Sequence, residues 1–216
     1  MTTTETDEKA ATGSTTHERR GTLGRAGFLT WRSFTACTFA VATLVLVYLN
    51  RNDRPSWIHP WGMAAGATLA VLGEALRVWG CGHLRKNQDV ITSGPYAHVR
   101  NPLYLGTLLI LVGICLASEI SIVLYGLLPV GLLVFCAYYT PKKERVESDR
   151  LRRRFGARFD AYHDAVPGYF PRLARWSGAS SERWSGSLVV SNTELPTVGF
   201  VLFGLAFVIA ARLIAS

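Results

Sequence analysis

The stretch Thr92–Gly106, TSGPYAHVRNPLYLG, decides how the chain is read: a polar connector that runs without a gap into a long apolar segment. Ser93-Gly94-Pro95 is a turn signal, because glycine tolerates positive φ and proline fixes φ. Arg100-Asn101-Pro102 then reads as a helix start. Asn is a strong N-cap, and proline suits the first helical position because its missing N–H would be unpaired there anyway. A helix N-terminus carries free N–H groups and partial positive charge, so with Arg100 beside it the place attracts a carboxylate or phosphate. Tyr96 and Tyr104 flank it with aromatic faces suited to a cation or a flat ring.

Working outward, the 216 residues are 49% hydrophobic and 18% charged, with mean hydropathy +0.21, which points to a membrane protein rather than a soluble domain. The net charge of +8 then bears on topology and anionic lipid. No nucleic-acid motif is visible, and nucleic acid is not expected as a partner. Cys37, Cys81, Cys115 and Cys136 are scattered, without CxxC or His-paired spacing. They read as small buried hydrophobes, and no metal is expected.

The expected fold class is all-α: a polytopic helical membrane protein of about five transmembrane helices with a cytoplasmic amphipathic helix. Residues 1–24 are poor in large apolar side chains and read as a disordered tail. Residues 25–194 form the main domain, with spans at Phe28–Leu49, Trp57–Trp79, Pro102–Ala117 and Ile120–Thr140, and residues 195–216 form a last span. The second span is rich in glycine and alanine, which lets helices approach closely. Its Glu74 and Arg77, three apart, are either a self-neutralising pair or part of a polar site. The third span covers only 16 residues, roughly 24 Å. Ser118-Glu119 forces a tight hairpin into the fourth, where Pro129 predicts a kink.

Residues 141–171 form a charged excursion whose first part reads as one helix. Leu151, Phe155, Phe159 and Tyr162 make an apolar stripe that suits the membrane surface, weakened locally by Gly156. A Ser-rich linker follows, with Trp176 and Trp184 as interfacial anchors. With five spans, 20 of the 23 basic residues fall on one side, leaving Arg51, Arg54 and Arg212 on the other. The positive-inside rule therefore puts the N-terminus, the 81–101 connector and the 141–194 excursion in the cytoplasm and the C-terminus opposite.

GPYAHVRNPLYLG resembles the GPY–RHP–Y–G signature of the isoprenylcysteine carboxyl methyltransferase family, which is related to phospholipid methyltransferases. The second half of that signature is similar to ESDRLRRRFGARFDAYHDAVPGYFP, Glu147–Pro171. The resemblance covers about residues 62–172. Asn101 stands where the family has His, as in a bacterial subset similar to HLRKN, TSGPYA and RNPLYLG, and Ser148 replaces the second acidic residue. The resemblance implies a cytoplasmic S-adenosyl-L-methionine site built from Ile91, Thr92, Gly94, Pro95, Tyr96, Arg100, Asn101, Tyr104 and Glu147. Arg100 and the helix start suit the carboxylate, Glu147 the ribose or amino group, the backbone of 91–96 the adenine, and Tyr104 the sulfonium. Arg100, Glu147 and Tyr104 are the candidate catalytic residues.

The implied partners are the lipid bilayer and a lipophilic methyl acceptor: a prenylcysteine-type carboxylate, a phospholipid amine or another small lipophile. Oligomeric state is not legible. Simpler readings stay open: Arg100 on lipid phosphate, Asn101 as a cap alone, the tyrosines as belt aromatics, Glu147 as partner of Lys143. His83, His98 and His163 read as loop residues more readily than as bases, and His59 falls on the far side. Two other functions compete: an NADPH-dependent membrane reductase of the sterol-reductase type, and a non-enzymatic protein binding anionic lipid. Leu103-Tyr104 and Thr107 stand where the reductases are expected to carry Asn-Tyr and Glu, which favours the methyltransferase.

Overall fold

The structure, a computed structural model, describes residues 41–50, 52–53, 61–85, 89–192 and 194–214. The chain divides into two units, Met1–Ala42 and Thr43–Ser216, and the description concerns the second. The expected tail, most of the first span, Arg51, Arg54 and His59 lie outside the described residues.

Among the described residues the fold is helical and contains no strand. After helical residues 41–49 come α1 (Trp61–Cys81), α2 (Pro102–Ser118), α3 (Val123–Phe155), α4 (Ala157–Ala165), α5 (Gly186–Ser191) and α6 (Leu195–Ile214). Two of them, α3 and α6, are long and apolar enough to cross a membrane, and α2 is a shorter apolar helix of 17 residues. α1 has the length, 21 residues, but carries Glu74 and Arg77.

α1 and α2 pack through glycines spaced by seven on each helix, Gly66 and Gly73 against Gly113 and Gly106. A Cβ at Gly73 would lie 2.7 Å from the Gly106 carbonyl, and one at Gly113 would lie 2.6 Å from the Gly66 carbonyl, so both contacts require glycine. The core beside this seam joins Ala70, Cys115, Ala117, Ile120 and Val123 to Val201, Leu205 and Val208 of α6. Outward-facing Val71, Leu72, Val130, Leu133, Leu202 and Phe203 are exposed, as a lipid-facing surface requires.

The hairpin at Glu119 is tight, and this residue takes positive φ (49°) at the end of α2. Its carboxylate accepts the Met63 N–H at 2.9 Å, capping α1, and its carbonyl accepts from Arg212 Nη2 at 2.7 Å. Asp53 accepts the Ser121 N–H at 2.9 Å and caps the start of the next helix. These groups tie one end of the bundle together. The connector and the start of α6 lie at the other.

α3 departs from expectation. The helix of the expected fourth span does not end at Thr140 but continues through Pro141 to Phe155. Both prolines follow wide π-type turns, Val123–Leu127 before Pro129 and Val134–Tyr139 before Pro141. A wider turn accommodates the carbonyl that each proline leaves unbonded, and the Thr140 hydroxyl donates to the Phe135 carbonyl. The break comes at Gly156, with φ 52° and ψ −132°, a region open essentially to glycine, so the excursion holds two helices rather than one. Its stripe is covered by the protein itself. Phe159 and Tyr162 are buried with Val90 and Val166, and Leu151, Phe155 and Trp176 pack around them. Trp176 packs there too, its ring centroid 5.5 Å from that of Tyr162. Cys81 and Cys115 are buried as expected, whereas Cys136 is exposed on α3.

The Ser-rich linker is a strap laid antiparallel on the connector. Arg172 N–H donates to the His98 carbonyl, Trp176 N–H to Ala97, Ser180 N–H to the Thr92 hydroxyl and Ser185 N–H to the Gly82 carbonyl, all within 2.9–3.1 Å. The strap returns the chain to the end of α1, where Asn192 Nδ2 donates to the Cys81 and Leu84 carbonyls.

Candidate active site

The two signature halves meet at the connector end of the bundle. The Arg100 N–H donates to the Pro167 carbonyl at 2.9 Å, and the Asn101 N–H to that of Gly168 at 3.2 Å. These bonds dock the 166–170 turn on the start of α2. The Tyr162 hydroxyl donates to the Tyr96 carbonyl at 2.9 Å, fixing the connector from α4.

Side chains converge on the same place. Arg100 Nη2 lies 3.1 Å from Glu144 Oε1, and the Tyr169 hydroxyl donates to Glu144 Oε2 at 2.6 Å. Burial pushes the Tyr169 phenol above its ordinary range, and its bond to Glu144 adds to this, so it remains a donor at neutral pH. The Tyr104 hydroxyl donates to Glu147 Oε2 at 3.3 Å. Glu144 and Glu147, one turn apart on α3, thus face Arg100 and Tyr104. Gly168 sits among them: a Cβ there would lie 3.3 Å from both Arg100 Nη2 and Glu144 Oε1, and 3.7 Å from Asn101 Nδ2.

Several polar atoms here are buried and lack a hydrogen-bond partner among the described residues: Arg100 Nε, Asn101 Nδ2 and the Tyr96 hydroxyl. Such groups are costly to leave unpaired, and functional sites are where they persist. Burial drives the Tyr96 phenol well above its ordinary range, so it too is a neutral donor. Asn101 occupies the N-cap position of α2 but makes no side-chain cap bond. The sequence expectation that its side chain caps the helix is not met, and the amide is left facing the site.

The remaining residues drawn from the sequence have structural contacts. The Thr92 hydroxyl holds the strap, and Gly94 takes φ 57° directly over the His83 ring, where a Cβ would collide. Pro95 is buried and Ile91 half-buried. His83 Nδ1 lies 3.0 Å from the Ser93 hydroxyl, and burial lowers its pKa. His98 Nδ1 donates to the Arg172 carbonyl at 3.0 Å, and His163 stacks beside Phe159. All three histidines make contacts within the protein.

Sequence reasoning missed Glu144, Gly168, Tyr169 and Glu194. The one-turn spacing of Glu144 from Glu147 was a usable signal for the first. Glu194 carried none, yet it takes the partner expected for Glu74: Arg77 Nε and Nη2 reach its two oxygens at 2.6 and 2.9 Å. Arg77 Nη1 also donates to the Thr107 hydroxyl at 2.6 Å and the Leu103 carbonyl at 3.3 Å. The expected Glu74–Arg77 pair is present but loose, at 3.9 Å from Arg77 Nε, while the short bonds of the guanidinium go to Glu194.

With this geometry in hand, the comparisons are informative. Residues 61–158 match the phospholipid methyltransferase family, a family of methyltransferases. The match begins at α1 and ends in α4, taking in Arg100, Asn101, Tyr104, Glu144 and Glu147. Two curated proteins are similar. The nickel-cobalt-cadmium resistance protein NccN of Alcaligenes xylosoxydans xylosoxydans is 33% identical over 147 residues, 65% of this chain and 66% of the relative. The cobalt-zinc-cadmium resistance protein CzcN of Cupriavidus metallidurans is 32% identical over 153 residues, 70% of this chain and 66% of the relative. The chain thus spans just under two thirds of the length of each. No solved structure matches.

Proposed function

We propose that this protein is an integral-membrane methyltransferase that uses S-adenosyl-L-methionine and acts on a lipophilic acceptor. The observation that carries this reading is the convergence of the two signature halves on Arg100, Asn101, Tyr104, Glu144 and Glu147, with Arg100 Nε, Asn101 Nδ2 and the Tyr96 hydroxyl lacking hydrogen-bond partners among the described residues. These atoms fit the cofactor. Arg100 suits its carboxylate, Tyr96 and Asn101 supply hydrogen-bond donors, and Glu147 accepts from its ribose or amino group. When bound, the cofactor supplies an electrophilic methyl group on a sulfonium. Tyr104 is held by Glu147 with its ring at the start of α2, suited to a cation. The chain's own contribution is alignment of donor and acceptor.

The acceptor reaches the site from the bilayer, between helices. A prenylcysteine-type carboxylate is the acceptor the signatures favour, and it needs no base. A phospholipid amine would have to lose a proton first. Five spans, with the N-terminus and the site cytoplasmic and the C-terminus opposite, complete the proposal. Supporting it, the site and the Glu119–Arg212 contact lie at opposite ends of α2. The metal resistance in the relatives' names stays with those proteins.

The test is a titration of purified protein in detergent with S-adenosyl-L-methionine and, separately, NADPH. Binding of the first alone supports the reading, and binding of NADPH alone points to the reductase and overturns it. If Arg100→Ala and Glu147→Ala, both correctly folded, bind the cofactor as the parent does, the site assignment is wrong.

A further inference from the structure

The Arg100 guanidinium is already engaged by a carboxylate of this chain. Its Nη2 lies 3.1 Å from Glu144 Oε1, while the Tyr169 hydroxyl donates to Glu144 Oε2 at 2.6 Å. Nε and Nη2 form one edge of a guanidinium, an edge that can hold a carboxylate through two parallel bonds. Glu144 uses only half of it: Nε is buried and has no hydrogen-bond partner among the described residues. Asn101 Nδ2, buried and equally without such a partner, is close by. A Cβ at Gly168 would lie 3.3 Å from Arg100 Nη2 and Glu144 Oε1 and 3.7 Å from Asn101 Nδ2, so the three polar groups surround one point.

The charges of this pair constrain what can bind. The Arg100 and Glu144 side chains are 15% and 22% exposed, so most of each is withdrawn from water and the two charges must stay balanced. A plain anion on the Arg100 edge would displace Glu144 from Nη2 and leave a second carboxylate uncompensated beside it. A plain cation on Glu144 would do the same to Arg100. A ligand that carries both charges on one carbon avoids both costs. Its carboxylate takes the Nε–Nη2 edge, its ammonium takes Glu144 Oε1, and one ion pair becomes two. The bond from Tyr169 to Oε2 keeps Glu144 in place for this. An α-amino acid has that arrangement of charges.

We propose that Arg100 and Glu144 form a zwitterion site for the α-amino-acid end of the cofactor, with Glu144 as acceptor of its ammonium group and Tyr169 as the residue that positions Glu144. This rests on the methyl-transfer reading and divides the site further: Arg100 keeps the carboxylate, and Glu147, held by the Tyr104 hydroxyl, is left for the ribose. A lone phosphate, which brings negative charge without an ammonium, does not suit the pair.

The test titrates the full chain in detergent, by calorimetry, with S-adenosyl-L-methionine, with S-adenosyl-L-homocysteine and with the deaminated analogue of the latter, which keeps the carboxylate. The parent protein should bind the deaminated analogue at least about tenfold more weakly than intact S-adenosyl-L-homocysteine, the effect of one charge-assisted hydrogen bond. Glu144→Gln should weaken the intact compound and tighten the deaminated one, so that the preference disappears. Tyr169→Phe should reduce it. A site that is merely distorted weakens both compounds alike and does not move them in opposite directions. Equal binding of the two compounds to the parent, a preference that survives Glu144→Gln, or parallel weakening of both by that change overturns the proposal. If neither S-adenosyl-L-methionine nor S-adenosyl-L-homocysteine binds the parent, the methyl-transfer reading falls and the zwitterion site with it. If both bind and the preference is absent, only the role of Glu144 falls.

Discussion

The Arg77 cluster makes a prediction about sign. Two carboxyl groups lie near one guanidinium, yet the structure ranks them sharply. Glu194 is 3% exposed and accepts two bonds from Arg77, at 2.6 and 2.9 Å. Glu74 accepts none. Removing one partner of a buried ion pair leaves an uncompensated charge and costs about 3–5 kcal/mol. Here Glu74 sits 3.9 Å from Arg77 Nε and can move in to replace the lost carboxylate. Glu194→Ala should therefore fall at the low end, near 3 kcal/mol, which for a chain of this size lowers Tm by roughly 6–12 °C. Glu74→Gln should be close to neutral, because its carboxylate pairs with Arg77 only at 3.9 Å and Glu194 keeps both short bonds. The two changes should also couple: Glu74→Gln in the Glu194→Ala background removes the replacement and should cost at least about 1 kcal/mol. The assay is thermal unfolding in detergent followed by circular dichroism, run as a double-mutant cycle. Equal losses for Glu74→Gln and Glu194→Ala, or no coupling between them, would refute the ranking.

Three further outcomes follow from the same geometry. Gly113→Ala puts a methyl group 2.6 Å from the Gly66 carbonyl and should destabilise the protein by at least about 1–3 kcal/mol, read as a lower Tm. Asn101→Ala should leave stability within about 0.5 kcal/mol of the parent, because its side chain makes no cap bond, while S-adenosyl-L-methionine affinity measured by calorimetry falls severalfold. For His83, burial lowers the folded-state pKa, so the stability it contributes is present above the unfolded value of about 6.5 and is lost as pH falls through the folded one. Tm should therefore drop between neutral pH and mild acid, and His83→Gln should flatten that drop.

How much of this was legible depended on whether a residue's partner lay near it in sequence. The seam of α1 and α2 could be read because small residues recur at helical spacing, and the hairpin because Ser118-Glu119 interrupts an apolar run. The site was legible as two segments, since each carried a signature. The ion pair of Arg77 was not, because Glu194 lies 117 positions away in a stretch without periodicity. The stripe of Leu151, Phe155, Phe159 and Tyr162 was legible as apolar, but the residues that pack on it were not. Amphipathicity specifies that a face is covered and not what covers it, and here the cover is Val90, Val166 and Trp176. The continuation of α3 through Pro141 was hidden for a related reason: proline signals a lost hydrogen bond, and the preceding π-type turn absorbs it without ending the helix.

The strap changes how the C-terminal region bears on the site. Read as a linker, residues 172–185 would leave α6 as an anchor that the site could spare. Instead their backbone bonds run along the connector from His98 back to Gly82, the segment that carries Thr92, Gly94 and Tyr96. The strap then delivers Glu194 to Arg77, whose other donors hold the Leu103 carbonyl and Thr107 on the first turns of α2. Arg100 and Tyr104 stand at that same helix start. The position of the candidate site is thus set from both sides, by the 166–170 turn through Arg100 and Asn101 and by α6 through Arg77. Removing the chain beyond Ser185 should therefore weaken cofactor binding although it deletes no residue of the site. A truncated protein that folds and binds S-adenosyl-L-methionine like the full chain would show that α6 is only an anchor.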